Sequence, residues 1–175
     1  MPDITLVSFG YFEKTLLDHV ADSVKREFRC ALTIKEGHID LSEFYDPGRR
    51  QYNGNNLLKY IDKIQVPEPA KILGLFNVDL FIPILTYIFG QAYLGGRTGI
   101  ASIYRLNNEC YGLKADENLL QERFRKEVIH ELGHTFGLIH CKNSICVMRS
   151  SAYVEDIDQK DQKLCPACRK EIGMS

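Results

Sequence analysis

Apolar residues in the first part of the chain follow a strand pattern, then a helix pattern, then a strand pattern again. The apolar run 4–9 ends at Gly10 and predicts a buried strand. Within 12–28, apolar side chains recur every fourth residue, which predicts an amphipathic helix. The segment 30–34 is rich in strand-forming residues and stops before Gly37. This order predicts two parallel strands joined by a right-handed crossover.

The middle of the chain predicts a loop, a second helix and three more strands. Glycine, proline and asparagine mark 46–56 as a loop, and prolines end a helix predicted over 57–64. The run 72–81 is apolar on both faces, as in a central strand. The segments 87–94 and 98–106 flank Gly95-Gly96-Arg97 and predict a hairpin.

The strongest helix pattern covers residues 116–137. Asp116 is a plausible N-cap, and Gly137 can end the helix because glycine enters the left-handed conformation at little cost. Leu120, Phe124 and Val128 begin an apolar stripe that continues to Leu132. The remaining residues, 138–175, show no long periodic segment. We therefore expect something other than apolar packing to hold this tail.

Composition narrows the class of protein. The 175 residues are 45% apolar and 26% charged, which suits one globular domain, and the net charge of −1 gives no reason to expect nucleic acid. The most apolar region, 72–89, is interrupted by polar residues and Pro83, so we expect no membrane span. No secretory pattern opens the chain, so we expect the reducing cytoplasm.

A histidine motif lies in the long predicted helix. Residues 130–140 read His-Glu-Leu-Gly-His-Thr-Phe-Gly-Leu-Ile-His. His130 and His134 are one turn apart on one face, so both imidazoles can bind one zinc ion. Gly137 lets the chain turn sharply, and His140 can return as the third ligand. The alternative is a buried helix face that carries two histidines by chance.

Glu131 is adjacent to the first of these histidines and predicts hydrolysis. Zinc lowers the pKa of its bound water from about 15.7 toward about 7. A carboxylate beside that water can accept its proton as the water attacks a carbonyl carbon, and can then protonate the leaving amine. We therefore predict that Glu131 is the general base of a zinc peptidase.

Four of the six cysteines form two pairs near the C-terminal end: Cys141 with Cys146, and Cys165 with Cys168. Four thiolates give a closed tetrahedral zinc site without a water position, which is a structural site. Such a site contributes about 10 kcal/mol or more to folding, and it would hold the irregular tail. Disulfide bonds, or a redox pair at Cys165 and Cys168, are the alternatives.

These two motifs together resemble the archaemetzincins, a family in the metzincin clan of zinc peptidases. The similarity rests on His-Glu-x-x-His-x-x-Gly-x-x-His, the cysteine that follows it, Met148 two residues after Cys146, and the closing Cys-x-x-Cys. Arg50-Gln51-Tyr52 also resembles an element of that family. The resemblance implies an α/β metzincin-like fold with a twisted mixed sheet and an antiparallel edge strand. An active-site helix and a small zinc-stapled C-terminal subdomain complete the implied fold.

The resemblance also implies roles for further residues. Met148 would be the Met-turn methionine, an apolar base under the zinc ligands rather than a ligand. The segment 87–94 would be the edge strand above the cleft, with the stretch 90–96 as a platform for extended substrate. Where some metzincins carry a tyrosine two residues after this methionine, this chain has Ser150. Tyr153 lies nearby without an assigned role.

We therefore expect a zinc metallopeptidase that hydrolyses peptide bonds by Glu131-assisted attack of zinc-bound water. The single catalytic domain would cover residues 1–175, divided into subdomains 1–137 and 138–175. It would bind two zinc ions, one catalytic and one structural, and act as a monomer on peptides or unfolded protein. The alternative is a peptide-binding zinc protein with little or no turnover. A nucleic-acid-binding zinc knuckle needs more basic residues around the cysteines than the chain has.

Overall fold

The secondary structure comprises nine strands and five α-helices in a computed structural model that describes all 175 residues. In chain order these are β1 (Asp3–Phe9), α1 (Lys14–Phe28), β2 (Leu32–Gly37), β3 (Tyr45–Asp46), β4 (Gln51–Asn53), α2 (Gly54–Asp62), β5 (Ala70–Phe76), β6 (Leu80–Ile82), β7 (Leu85–Ile88), β8 (Gly90–Ala92), β9 (Thr98–Ser102), α3 (Glu117–Thr135), α4 (Val154–Gln159) and α5 (Pro166–Glu171). No helix combines the length and apolar character that crossing a membrane requires.

The larger sheet has five strands in the order β2-β1-β5-β9-β8. The first four are parallel, and β8 pairs antiparallel with β9, where Gly90 lies opposite Ala101. The predicted parallel pair around α1, the hairpin and the mixed sheet with an antiparallel edge strand are therefore confirmed. Side chains on both sheet faces are buried, which explains the continuous apolar runs in β1 and β5.

A second sheet of four short strands, in the order β3-β4-β6-β7, was not predicted from the sequence. The strand predicted over 72–81 ends at Phe76, and residues 80–82 belong instead to this second sheet. The chain leaves the first sheet at the polar positions Asn77 and Asp79. The carboxylate of Asp79 accepts two hydrogen bonds from the Arg105 guanidinium, at 2.8 and 2.7 Å. This long-range contact cannot be read from local periodicity.

Three other predicted boundaries were wrong for the same kind of reason. The strand predicted over 87–94 changes partner at Phe89, so that β7 pairs with β6 and β8 pairs with β9. The strand predicted over 98–106 ends at Ser102, whose hydroxyl donates to the carbonyl of Val78. The predicted loop 46–56 contains two short strands and the start of α2, because the Asn53 side chain accepts a hydrogen bond from the amide of Asn56.

Helix α3 has the predicted position and caps. The Asp116 carboxylate accepts a hydrogen bond from the Leu119 amide at 3.0 Å, which satisfies one of the free donors of the first turn. Gly137 follows the helix with a φ of 96°, the left-handed conformation that glycine adopts at little cost. Phe124, Val128 and their neighbours on one face of the helix are buried in the larger core.

The C-terminal tail is held in part by apolar packing, contrary to the expectation. Val147, Ile157 and Leu164 belong to the same buried cluster as the sheet and α3, and two short helices, α4 and α5, interrupt the loops. Glu27 of α1 accepts hydrogen bonds from the Leu164 amide at 2.9 Å and from Arg169 at 2.7 Å. The sequence pattern missed this packing because its buried residues lie in turns and in helices of only six residues. The division into subdomains at residue 137 stays a prediction.

The Glu27 contacts predict a measurable contribution to stability. Replacing Glu27 with alanine removes the acceptor of the buried Leu164 amide and one of the two acceptors of the Arg169 guanidinium, so we expect a loss of about 1–3 kcal/mol. The free energy of unfolding in urea, measured with zinc present, checks this. Asp22→Ala on the exposed face of α1 is the control and should change stability by less than about 0.5 kcal/mol. Equal stabilities of the two variants would contradict the prediction.

Candidate metal centre and peptide cleft

Three histidines converge at the C-terminal end of α3. The Nε2 atoms of His130 and His134 are 3.1 Å apart, and the ring of His140 lies 5.3 Å and 5.0 Å from the other two rings, measured between centroids. One nitrogen from each ring can be chosen so that all three lie within 4.8 Å of one another. The structure thus brings together the three residues that the sequence motif predicts as metal ligands.

Backbone carbonyl groups orient two of the imidazoles. His130 Nδ1 lies 2.8 Å from the Val147 carbonyl oxygen, and His134 Nδ1 lies 2.7 Å from that of Leu138. A carbonyl can only accept, so each Nδ1 carries the hydrogen and each Nε2 presents its lone pair to the other ring. Burial lowers the pKa of all three histidines, most strongly that of His130. They are therefore held in the neutral form that binds metals.

The spacing of the imidazoles fits zinc. Zinc–nitrogen bonds of about 2.0–2.1 Å place tetrahedral ligands about 3.3–3.4 Å apart, close to the observed 3.1 Å. Three protein ligands leave a fourth position, and His140 is exposed on the side of the cleft. Three imidazoles with an open position could serve as the donor set of a catalytic zinc site, because a closed structural site has four protein ligands.

Glu131 is buried beside the histidine cluster and lines the same cleft. Its Oε2 atom is inaccessible to solvent and has no hydrogen-bond partner. Burial, together with the neighbouring Glu127 carboxyl, raises the pKa of Glu131 well above its ordinary value. An unpaired buried carboxyl oxygen is costly, so the structure retains here a group suited to accept a proton or a hydrogen bond.

A cleft of about 730 Å³ runs above the histidines. Residues 85–92 of β7 and β8 form its upper wall, and residues 150–153 after the Met148 turn form its lower wall. Tyr87 donates a hydrogen bond to the Ala152 carbonyl at 3.1 Å and so joins the two walls. A side chain at Gly90 would come within 2.7 Å of Glu131 Cγ, so the edge strand approaches the buried carboxylate closely.

Met148 is fully buried beneath the histidine helix, where the resemblance predicted the Met-turn methionine. A Cβ atom at Gly133 would meet its Sδ atom at less than van der Waals distance, so this methionine packs directly on the backbone of α3. The Met148 carbonyl also accepts a hydrogen bond from the Cys141 amide at 3.0 Å. The position agrees with the expectation, and the role stays a prediction.

Four cysteine thiols form a second cluster, as the sequence predicts. The Sγ atoms of Cys141 and Cys165 are 3.8 Å apart, as are those of Cys146 and Cys168. Disulfide bonds need about 2.05 Å. Zinc–sulfur bonds of about 2.3 Å place tetrahedral ligands about 3.8 Å apart, which matches the observed separation.

The thiols also have the environment of metal ligands. The Cys146 sulfur accepts backbone N–H bonds from Met148 and Cys165, each at 3.4 Å. Burial raises the pKa of Cys165, but hydrogen bonds from the Cys168 amide and from neighbouring thiols outweigh it and lower that pKa to about 7. Burial raises the pKa of Cys146 and of Cys168. A cation would therefore be needed to hold all four as thiolates.

Two charged residues beside the histidines were not predicted from the sequence. Glu127 and Lys160 are each 3% exposed, and the Lys160 ammonium lies 3.4 Å from His130 Nδ1. Burial lowers the pKa of Lys160. The spacing of Glu127, one turn before Glu131, was the only sequence signal, and the position of Lys160 depends on tertiary packing.

The remaining predicted residues lie around the cleft or outside it. Tyr153 is exposed and lines the cleft. Arg50 is exposed and does not line it, whereas the adjacent Gln51 donates to the Thr86 carbonyl at 2.8 Å and holds the strand that does. Cys30 and Cys110 lie outside both clusters.

A helix with two histidines and a carboxylate, met by a third histidine from the following loop beneath an antiparallel edge strand, defines the class of zinc-dependent metallopeptidases. Comparisons with known proteins narrow the class. The sequence pattern of peptidase family M54 matches residues 1–174, and the chain belongs to this family. Its relatives include the archaemetzincin of Thermococcus kodakarensis, 38% identical over 97% of this chain and 94% of the relative. The archaemetzincin of Natronomonas pharaonis is 31% identical over 97% of this chain and 98% of the relative.

Solved structures agree with this assignment. A zinc-dependent peptidase from Methanocorpusculum labreanum has a TM-score of 0.88 at 30% identity, and the match covers 97% of this chain and all of that one. The archaemetzincin from Methanopyrus kandleri has a TM-score of 0.85 at 31% identity over 98% of this chain and 93% of that one. The resemblance to the archaemetzincins and the metzincin-like α/β fold expected from the sequence are confirmed.

The two clusters are covalently adjacent, which predicts that they depend on each other. Cys141 follows His140, and Val147, whose carbonyl orients His130, follows Cys146. We expect Cys165→Ser to abolish zinc binding at the cysteines and to weaken zinc binding at the histidines by about tenfold or more. Zinc analysis and competition with a colorimetric chelator measure both affinities. Cys110→Ser, outside the cluster, is the control, and an unchanged histidine-site affinity in Cys165→Ser would refute the coupling.

Proposed function

We propose that this metallopeptidase hydrolyses peptide bonds with Glu131 as general base and with His130, His134 and His140 as the ligands of one catalytic zinc ion. The observation that carries the proposal is the buried, unpartnered Oε2 atom of Glu131 beside three imidazoles that each offer one ring nitrogen to a common centre. A buried carboxyl oxygen without a partner is costly for folding, and a proton-transfer role accounts for its presence.

Each residue has a defined task in this mechanism. Zinc, when bound, lowers the pKa of the attacking water and polarises the scissile carbonyl. Glu131 accepts the proton of that water as the water adds to the carbonyl carbon. It then donates the proton to the leaving nitrogen, so that the amine departs as a neutral group and not as an anion. Burial raises the pKa of Glu131, and a carboxylate with a raised pKa accepts a proton more readily.

The edge strand provides a surface for an extended peptide. β8 is the last strand of its sheet, and its outer edge has no strand partner. We propose that substrate main-chain groups bind this edge, with residues 90–96 as the platform, as in strand addition. Gly90 allows the strand to lie close above Glu131, which would bring the scissile bond near the metal.

The four thiols would hold a second, structural zinc ion, giving two zinc ions per chain. The equal sulfur separations of 3.8 Å and the backbone N–H bonds to the Cys146 sulfur support this assignment. Met148 would act as the apolar base of the histidine site. We further propose a monomer that works on peptides or unfolded protein in the reducing cytoplasm, where thiolate sites persist.

The decisive experiment compares the zinc-loaded chain with Glu131→Gln on an unbiased peptide mixture, read by mass spectrometry. We expect cleavage by the wild type and a loss of about 10²- to 10⁴-fold in the variant, because glutamine cannot accept the proton. Zinc content should stay unchanged, since Glu131 is not among the proposed ligands.

Glu122→Gln, an exposed position on the same helix, is the matched control and should retain full activity. Absence of wild-type cleavage with two zinc ions bound would support the alternative of a peptide-binding protein with little turnover. Equal activity in the wild type and Glu131→Gln would overturn the assignment of the base.

A further inference from the structure

Two buried charged residues beside the histidines have no task in the mechanism above. Glu127 and Lys160 are each only 3% exposed, although glutamate and lysine are rarely buried without a strong reason. They come from distant parts of the chain, since Glu127 lies within α3 and Lys160 directly follows α4. Burying each charged side chain costs free energy, so interactions at this place must compensate that cost.

Glu127 lies beside the proposed general base. It lies one helical turn before Glu131, so both side chains project from one face of α3. Both carboxyl groups line the cleft below the edge strand. Gly90 of the edge strand covers both, because a Cβ atom there would be 2.9 Å from Glu127 Oε1 and 2.7 Å from Glu131 Cγ. The Glu131 carboxyl is thus confined between β8 and Glu127, while its Oε2 atom remains unpartnered.

Lys160 supplies the balancing positive charge. Its ammonium group donates to the Arg149 carbonyl at 2.9 Å, which fixes its position below the histidines. From there its charge acts favourably on both Glu127 and Glu131. Without this cation, two carboxyl groups in contact would repel each other whenever both were ionised, and the arrangement would be disfavoured.

We propose that Glu127 and Lys160 are positioning residues that orient the Glu131 carboxyl toward the metal centre. Glu127 holds Glu131 by a hydrogen bond, so that Oε2 stays free for the attacking water. Lys160 keeps the carboxyl pair in place by balancing its charge. This inference rests on the proposed function, because it assigns to Glu127 and Lys160 an effect that acts through Glu131.

A buried pair with only a structural role would affect stability and not the general base. The same helix offers such a pair: Arg123, one turn before Glu127, forms an ion pair with Asp158 of α4 at 2.7 Å. Asp158→Asn therefore serves as the matched control, because it also weakens a polar contact between α3 and α4 but lies away from Glu131.

The experiment is a double-mutant cycle between Glu127→Met and Glu131→Gln in the zinc-loaded full chain. Methionine keeps the approximate volume of glutamate and removes the hydrogen bond. We expect Glu127→Met to lower kcat by about 10- to 100-fold with KM within about twofold and zinc retained. In the Glu131→Gln background, Glu127→Met should have no further effect. Glu127→Gln, which can still hydrogen-bond to Glu131, should restore most of kcat.

A second readout does not require turnover. Acetohydroxamic acid chelates zinc, and its hydroxyl proton can be accepted by a correctly oriented Glu131. We expect its affinity, measured by calorimetry, to fall about tenfold in Glu127→Met and in Lys160→Met, but not in Asp158→Asn. The fall should disappear when Glu131 is already glutamine. If the wild type cleaves no peptide, the proposed function fails. The hydroxamate affinities, which need no turnover, still test the positioning role.

Three outcomes would overturn the inference. The first is an unchanged kcat and hydroxamate affinity in Glu127→Met. The second is an equal loss from Glu127→Met in the wild-type and Glu131→Gln backgrounds, and the third is an equal loss in Asp158→Asn. Should Glu127→Met not fold, Lys160→Met combined with Glu131→Gln provides the same comparison, with the same expected non-additivity.

Discussion

The hydrogen bond between His130 Nδ1 and the Val147 carbonyl connects the main parts of the structure. It turns the first imidazole of α3 so that its Nε2 atom faces that of His134. Val147 stands between Cys146, a member of the thiol cluster, and Met148, which packs against the helix backbone at Gly133. The orientation of the histidines therefore depends on how the tail packs under α3. Tail packing in turn depends on the buried apolar residues, the Glu27 contacts and the thiol cluster.

Burial governs the chemistry of the site. The same low-dielectric surroundings keep the histidines neutral and raise the pKa of Glu131. These effects oppose folding, because each charged form is costly to bury. The cost is limited where charges oppose one another, as Lys160 opposes the two carboxyl groups, and where backbone carbonyls accept the imidazole protons. A zinc ion held by the histidines would add positive charge close to the two buried carboxyl groups.

The edge strand shows how the two sheets together shape the cleft. β7 belongs to the second sheet and β8 to the first, and the chain changes partner at Phe89. Gln51 holds β7 through the Thr86 carbonyl, and Tyr87 joins it to the opposite wall at Ala152. The upper wall of the cleft is thus held by long-range contacts from both sheets. Its spacing above Glu131 is set by the absence of a side chain at Gly90.

The sequence by itself determined the fold class, the long helix with its caps, and both sets of side chains that could hold a metal ion, because helical periodicity and motif spacing are local properties. It did not determine the second sheet, the end of the strand at Phe76 or the packing of the tail, because these depend on contacts such as that between Asp79 and Arg105. Glu127 and Lys160 show the same limit. Their residue types suggest a solvated surface, and only the tertiary structure brings them together beside the histidines, because their 33-residue separation is closed by the packing of the tail under α3.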